Sequence, residues 1–287
     1  MAFIYKMKQY GQLVMFSHTL FSLPFAIVSV IWAANGLPDL TTLFWIFIAL
    51  IAGRNGANAI NRVIDIKYDI KNERVANRLI PQGKISIKET IILSTILFLI
   101  FEVAAYMINP LCFYLSPIAL GLFILYSYTK RFTWTCHIIL GITCAGAPFG
   151  AWIAVTGEIS IVPVLLSTAV ALWIGGFDII YGTQDIAFDQ KEGLHSIPAR
   201  FGLKNSLLIS KVFHLLSVLI LLSLFVIRGM GWIYILGLMI ISLLFMIEHK
   251  LVEPKNTRIM NWASYHINQI VSLTFMVFSL LDWGIRY

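Results

Sequence analysis

The stretch Leu40–Asp69, "LTTLFWIFIALIAGRNGANAINRVIDIKYD", decides the fold. Its first two thirds are nearly all apolar, a run long enough to cross a ~30 Å hydrocarbon core as a helix. Its end is different: Asn61, Arg62, Asp65, Lys67 and Asp69 stand where a membrane helix should be finishing. Carboxylates are costly at such a place, so a chain short of charge has a reason for putting them there.

The rest of the 287 residues agrees with that start. The chain is 59% hydrophobic and 12% charged, with a mean hydropathy of +0.84. A soluble domain carries about twice that charge fraction. Nine apolar segments are expected, near 12–33, 41–62, 88–108, 111–129, 135–155, 161–182, 206–227, 231–248 and 262–282. They are continuously apolar rather than alternating, which favours helices over barrel strands. The first 40 residues do not read as a cleaved signal, because the apolar run is too long and no small-residue cleavage site follows. The expected fold is an all-α polytopic membrane protein, one domain over 1–287.

The net charge of +7 has a location. In the nine-helix topology only Arg228 and Arg286 fall on one side. Lys6, Lys8, the 64–88 loop, Lys130, Arg131, the 183–205 loop and the 249–260 loop fall on the other. By the positive-inside rule that second side, with the N-terminus, is cytoplasmic. Basic groups spread over several loops of a membrane body argue against nucleic-acid binding, and nothing points to a protein partner. Cys112, Cys136 and Cys144 lack metal-type spacing and read as small packing residues.

The two long loops resemble each other. One membrane exit reads "GANAINRVIDIKYDIKNERVANRLIPQGKIS", the other "GGFDIIYGTQDIAFDQKEGLHSIPARFG". Each has a Gly-containing exit, spaced acids, a basic stretch and a Pro near a Gly. Four helices separate them, so the chain reads as two parallel four-helix units plus one helix. Repeat 1 covers about 10–130, repeat 2 about 131–250, and the ninth helix about 262–282, with the two loops as cytoplasmic caps.

Asn61, Asp65 and Asp69 lie four apart, and Asp178, Tyr181, Asp185 and Asp189 are spaced three, four and four. On uninterrupted helices each set shares one face. Like charges on one face repel, so something cationic should offset them. Ion pairs with nearby Lys and Arg are one reading. The other is Mg²⁺, which takes hard oxygen ligands and usually bridges to phosphate; two such sets could hold metal ions against one diphosphate. Arg74, Arg78 and Lys191, which follow the acids, suit direct diphosphate contact, although the cytoplasmic charge bias alone also supplies basic residues there.

Both motifs resemble those of the intramembrane aromatic prenyltransferases of the 4-hydroxybenzoate polyprenyltransferase superfamily, the UbiA family. The first matches as Asn61-Arg62-x-x-Asp65-x-x-x-Asp69, then Arg74-x-x-Asn77-Arg78 and Pro81-x-Gly83. The second matches as Asp178-x-x-Tyr181-x-x-x-Asp185, Asp189 and Gly193-x-x-Ser196. "YSYTKR" at 126–131 also fits, and the resemblance covers nearly the whole chain. Arg62 stands where many members have a second Asp, and His195 where a Lys is usual. Both departures resemble a branch linked to menaquinone synthesis, which leaves the acceptor open between 4-hydroxybenzoate and a dihydroxynaphthoate.

The resemblance implies Mg²⁺-dependent transfer of a polyprenyl group from its diphosphate to an aromatic ring in ubiquinone or menaquinone synthesis. The setting it implies is the bacterial inner membrane, with the site facing the cytoplasm. Asn61, Asp65, Asp69, Asp178, Asp185 and Asp189 would hold the metal, and Tyr181, with the basic residues above, would lie at the substrate. Arg54, two helical turns deeper than Asn61, would pair with an acceptor carboxylate, or else with an interhelical partner such as Glu102. Tyr126 and Lys130 would flank the diphosphate, or serve as an interfacial Tyr and a positive-inside Lys. Haem and a glyceryl-phosphate lipid precursor are alternative acceptors. An ion-coupled transporter is the competing class, set against by acids that gather at helix ends rather than the midplane.

Overall fold

A computed structural model describes residues 2–14, 19–252 and 263–286. The described residues form helices and turns, without strands. The order is α1 (Ala2–Leu13), α2 (Thr19–Ala34), α3 (Leu40–Ile64), α4 (Ile66–Asp69), α5 (Ile87–Ile108), α6 (Pro110–Thr129), α7 (Cys136–Thr156) and α8 (Ile161–Gly182). A 3₁₀ turn (Thr183–Asp185), α9 (Ile186–Glu192), α10 (Ile197–Ile227) and α11 (Trp232–Leu251) follow, then a π turn (Ala263–Ile267) and α12 (Asn268–Arg286).

Eight helices among the described residues are long and apolar enough to cross a membrane: α3, α5, α6, α7, α8, α10, α11 and the helix Tyr265–Arg286. Large apolar side chains such as Ile96, Leu99, Val103, Ile118 and Leu219 stay exposed along them, as lipid contact requires. The fold is that of an integral membrane protein. The segment expected at 12–33 holds a shorter apolar helix, α2, and residues 15–18 lie outside the described residues. The segment expected from 206 begins earlier. Ser196 caps a short helical stretch from Ile197, and Gly202, at φ 72 and ψ 174, joins it to the long part of α10. That backbone angle suits glycine, since a Cβ would be strained there.

Local signals set the helix ends. Asp39 accepts from Thr42 N at 2.9 Å to start α3. Ser86 and Glu89 form a capping box at the start of α5. Pro110, whose missing N–H costs nothing in a first turn, opens α6. Gly157, in the left-handed region, closes α7.

The chain divides into two compact units. The first comprises residues up to 19 and 39–128, the second 20–38 and 129–287. In the first, α3 packs on α5. Gly56 leaves room for Phe98, whose ring atoms would stand 2.7 Å from an added Cβ. Ser94 Oγ donates to Gly56 O at 3.0 Å. Small residues and hydroxyl–backbone bonds are the usual means of holding helices together in lipid. The amphipathic α1 places Leu13 with Ile80 and Ile85 in a small cluster, and Lys6 Nζ pairs with Glu89 at 2.7 Å.

In the second unit α8 packs on both α7 and α10. Gly141 lies against the Ala171 carbonyl, and Gly176 gives its space to the His214 ring. Ser210 Oγ donates to Gly176 O at 2.7 Å and Ser217 Oγ to Ala169 O at 2.8 Å. The apolar core gathers Phe21, Phe25 and Trp32 of α2 with Val170 and Trp173 of α8, Tyr234 of α11 and Phe275 of α12. Phe25 stacks on Phe275 at 4.4 Å. A buried polar chain crosses this core: Trp173 Nε1 donates to Asn268 Oδ1 at 2.6 Å, and Asn268 Nδ2 to Glu248 Oε1 at 2.7 Å. The first apolar helix, expected in repeat 1, thus makes its core contacts in the second unit.

Candidate active site

The first acid set sits where α3 leaves the apolar region. Asp65 ends α3 with φ -87 and ψ 0, and α4 begins at the next residue. The set is therefore jointed at its middle acid instead of riding one uninterrupted helical face. Carboxylates on successive turns of a straight helix would repel; with a joint between them, each acid has its own partner. Asn61 Nδ2 donates to Asp65 Oδ2 at 2.8 Å and reaches Ser127 Oγ at 3.2 Å. Asp69, 6% exposed, takes Arg78 Nη1 on both oxygens, at 2.7 and 2.6 Å.

Arg62 lies within electrostatic reach of Arg78, Asp69, Tyr126 and Asp65. This departure from the usual motif is thus a cation set among the acids. The loop that follows is a series of turns: Asn72 Oδ1 accepts from Arg74 N at 3.0 Å, and Gly83 takes the left-handed φ of 68. Arg54 and Tyr126 are half-buried. Glu102, considered as a partner for Arg54, instead accepts from Ser116 Oγ at 2.7 Å.

The second set has the same joint. Asp178 and Tyr181 lie on α8, while Asp185 ends the 3₁₀ turn with φ -102 and ψ 7 before α9 starts. Asp185 and Asp189 are both buried. Asp189 Oδ2 accepts from Ser196 Oγ at 2.8 Å and from Lys130 Nζ at 3.4 Å. Gly193, left-handed at φ 68, turns the chain so that His195 N reaches Lys130 O at 2.6 Å. Desolvation works against the Lys130 charge, but Asp189 and, with smaller effect, Asp185 and Asp178 outweigh it and leave the ammonium above its ordinary range. Lys191 stays exposed.

Some contacts of the site were not visible in the sequence. His137, at the start of α7, puts Nδ1 2.6 Å from Asp178 Oδ2. Ser127 reaches Asn61. Ser196 belongs to the second motif, but its bond to the Asp189 carboxylate is visible only in three dimensions.

The donor set suits a hard divalent cation, since it consists of carboxylate and amide oxygens. In the structure these oxygens are engaged by Arg78, Lys130, Asn61 and His137. Among the described residues no three His, Cys, Asp or Glu side chains stand close enough to hold an ion by themselves. A cation held by these residues would have to displace Arg78, Lys130, Asn61 and His137 from the carboxylates they now engage.

The two acid sets whose spacing carries the motif resemblance are thus each jointed and each paired to a basic residue. The UbiA prenyltransferase family model matches residues 22–271. The chain belongs to the UbiA prenyltransferase family. It is a prenyltransferase. Among UbiA relatives it is similar to a 4-hydroxybenzoate octaprenyltransferase of Alcanivorax borkumensis, 32% identical over 240 residues, 82% of this chain and 80% of the relative. A 4-hydroxybenzoate octaprenyltransferase of Francisella tularensis is 28% identical over 272 residues, 92% of this chain and 93% of that one. The apo structure of a UbiA homolog from Aeropyrum pernix K1 superposes with a TM-score of 0.84 at 28% identity, covering 93% of this chain and 98% of that one. A UbiA homolog from Archaeoglobus fulgidus bound to GPP and Mg²⁺ shares the fold, with a TM-score of 0.69 at 19% identity over 96% and 99% of the two chains.

Proposed function

We propose that this UbiA family enzyme transfers a polyprenyl group from polyprenyl diphosphate to a ring carbon of 4-hydroxybenzoate or a dihydroxynaphthoate, in respiratory quinone synthesis. The observation that carries this reading is the pair of acid sets, each already gripped by a basic side chain: Asp69 by Arg78 and Asp189 by Lys130. Similarity to 4-hydroxybenzoate octaprenyltransferases supports the aromatic acceptor.

Mg²⁺, held by Asn61, Asp65, Asp69, Asp178, Asp185 and Asp189, would neutralise the charge of the departing diphosphate and so ease ionisation of the allylic C–O bond. Arg78 and Lys130, released from their carboxylates, turn to the phosphate oxygens, and Arg74, Lys191, Tyr126 and Tyr181 complete the contacts. The apolar surroundings keep water from the allylic cation, and aromatic faces stabilise it. Arg54 pairs with the acceptor carboxylate and orients the ring, so that the carbon ortho to the hydroxyl attacks. An Asp at the rim of the site, such as Asp65, would take the ring proton. In this reading the site opens to the cytoplasm and the N-terminus lies on that side, which the distribution of Lys and Arg supports.

The two acid sets descend, in this reading, from one duplicated unit, and details inside each unit support it. The interval from Gly56 to Asp65 equals that from Gly176 to Asp185, and both acids sit at a joint with ψ near zero. Ser94 and Ser210 donate to the equivalent glycine carbonyls. Thr90 and Ser206 each bond back one turn, to Ser86 O and Gly202 O.

The test is incubation of membranes containing the protein with labelled polyprenyl diphosphate, Mg²⁺ and either acceptor, followed by identification of the product. A prenylated ring with diphosphate released only when Mg²⁺ is present is expected. Product on haem or on a glyceryl-phosphate acceptor alone would refute the aromatic assignment.

A further inference from the structure

The carboxylate of Asp178 has a partner that belongs to neither motif. His137 is the second residue of α7 and is 1% exposed. Its Nδ1 lies 2.6 Å from Asp178 Oδ2. An ionised carboxylate only accepts, so Nδ1 carries the proton and donates. Asp178 Oδ1 has no protein partner among the described residues, and the Asp178 side chain is 24% exposed. One oxygen is therefore fixed from behind, and the other makes no hydrogen bond to protein among the described residues.

The ring is held where it is by shape. Gly182 follows Asp178 by one turn on α8, and a Cβ there would stand 2.9 Å from His137 Cε1 and 3.6 Å from Pro198 Cγ. A Cβ on Gly175, on the same helix, would meet His137 O at 3.3 Å. Cys136, the neighbour of His137, points its Sγ at His195 O at 3.6 Å, which ties the start of α7 to the loop after Asp189. Glycines at 175 and 182 thus open a slot on α8 into which His137 fits, with Asp178 at its rim.

We infer that His137 is a positioning residue: it orients the Asp178 carboxylate so that Oδ1 is presented to the cation–diphosphate pair. The inference rests on the proposed role of Asp178 as a metal ligand. Carboxylate ligands are commonly oriented by such outer hydrogen bonds, whose loss costs roughly 10–100-fold in metal affinity or activity. The alternative is that Asp178 serves only as a partner for a buried imidazole, in which case the pair matters to folding and not to the ion.

The two are separated with the full-length protein purified in detergent. Mn²⁺ serves as the spectroscopic probe, with inorganic diphosphate present, and its affinity is read by electron paramagnetic resonance beside the thermal midpoint. His137→Met fills the slot without a donor. His137→Asn places an amide nitrogen near the position of Nδ1. Gly182→Ala keeps every hydrogen-bonding group but presses on the ring. A Mn²⁺ affinity lowered about 10–100-fold in His137→Met, restored to within about threefold of the parent in His137→Asn, and lowered in Gly182→Ala supports the inference. If His137→Met fails to fold, the Gly182→Ala and His137→Asn values decide. Parent-like affinity in His137→Met and Gly182→Ala, with a loss in Asp178→Ala, overturns the inference while leaving the reading of Asp178 intact. Parent-like affinity in Asp178→Ala overturns both.

Discussion

Removing Arg78 should cost more stability than removing the charge of its partner, and the margin follows from their exposures. The Asp69 side chain is 9% exposed and that of Arg78 28%, with the guanidinium nitrogen 2.6 Å from the nearer oxygen. Arg78→Ala takes the hydrogen-bonded cation from a carboxylate that cannot reach water, leaving it only the longer-range field of Arg62. Fully buried pairs lose 3–5 kcal/mol in that way; discounting for the part-open guanidinium gives about 2–3 kcal/mol. Asp69→Asn strands a guanidinium that can turn to solvent, at about 1 kcal/mol. In a thermal scan in detergent followed by tryptophan fluorescence, Arg78→Ala should melt roughly 5–10 °C below the parent and Asp69→Asn roughly 2–4 °C below. The double variant should lose at least about 1 kcal/mol less than the sum of the two single losses, because it removes the group left unpaired in each single variant. Saturating Mg²⁺ and diphosphate should shrink the Arg78→Ala deficit, since a bound cation gives Asp69 a new partner and ligand binding favours the folded state. An Asp69→Asn variant as unstable as Arg78→Ala, or strictly additive losses, would refute the reasoning.

Asp65→Ala and Asp185→Ala should each lower prenyl transfer by at least about 100-fold while folded protein still accumulates in the membrane; substantial turnover in either would sink the metal assignment. Arg54→Ala should raise KM for a carboxylate-bearing acceptor and leave a carboxylate-free analogue little changed, and equal effects on both would remove the acceptor clamp. Gly141→Ala forces a methyl into the Ala171 carbonyl and should cost about 1–3 kcal/mol or more, whereas Gly146→Ala, with open space beside it, should be neutral or stabilising by helix propensity. Similar thermal midpoints for these two would contradict the packing of α7 on α8.

Most helices were legible because lipid imposes long apolar runs, and their ends agree closely: 88–108 against Ile87–Ile108, 161–182 against Ile161–Gly182. Ser196 and Gly202 explain the early start of α10, which hydropathy could not mark because the added stretch is neither long nor strongly apolar. The acids were legible by spacing, but their joints were not, since a change of ψ at Asp65 and Asp185 leaves no trace in residue type. The partners were harder still. Arg78 was one of several basic residues in its loop, and only three dimensions select it for Asp69. His137 lies 41 positions from Asp178 with no motif around it, so nothing in the chain linked them. Arg62 read as a departure from the motif, and its meaning came from the charges gathered about it.

The assignment of α2 to the second unit has a consequence for biogenesis. Phe21, Phe25 and Trp32 find their core neighbours at Val170, Trp173 and Phe275, all translated much later. At about 5–20 residues per second the last of these follows by on the order of ten seconds or more. Through that interval a short helix interrupted by Pro24 sits in or at the bilayer without its aromatic partners. Its retention depends on the nascent chain behind it and on whatever insertion machinery holds it, not on its own packing. Substitutions in α2 that weaken its hydropathy should therefore reduce the yield of inserted protein more than the stability of molecules that complete assembly.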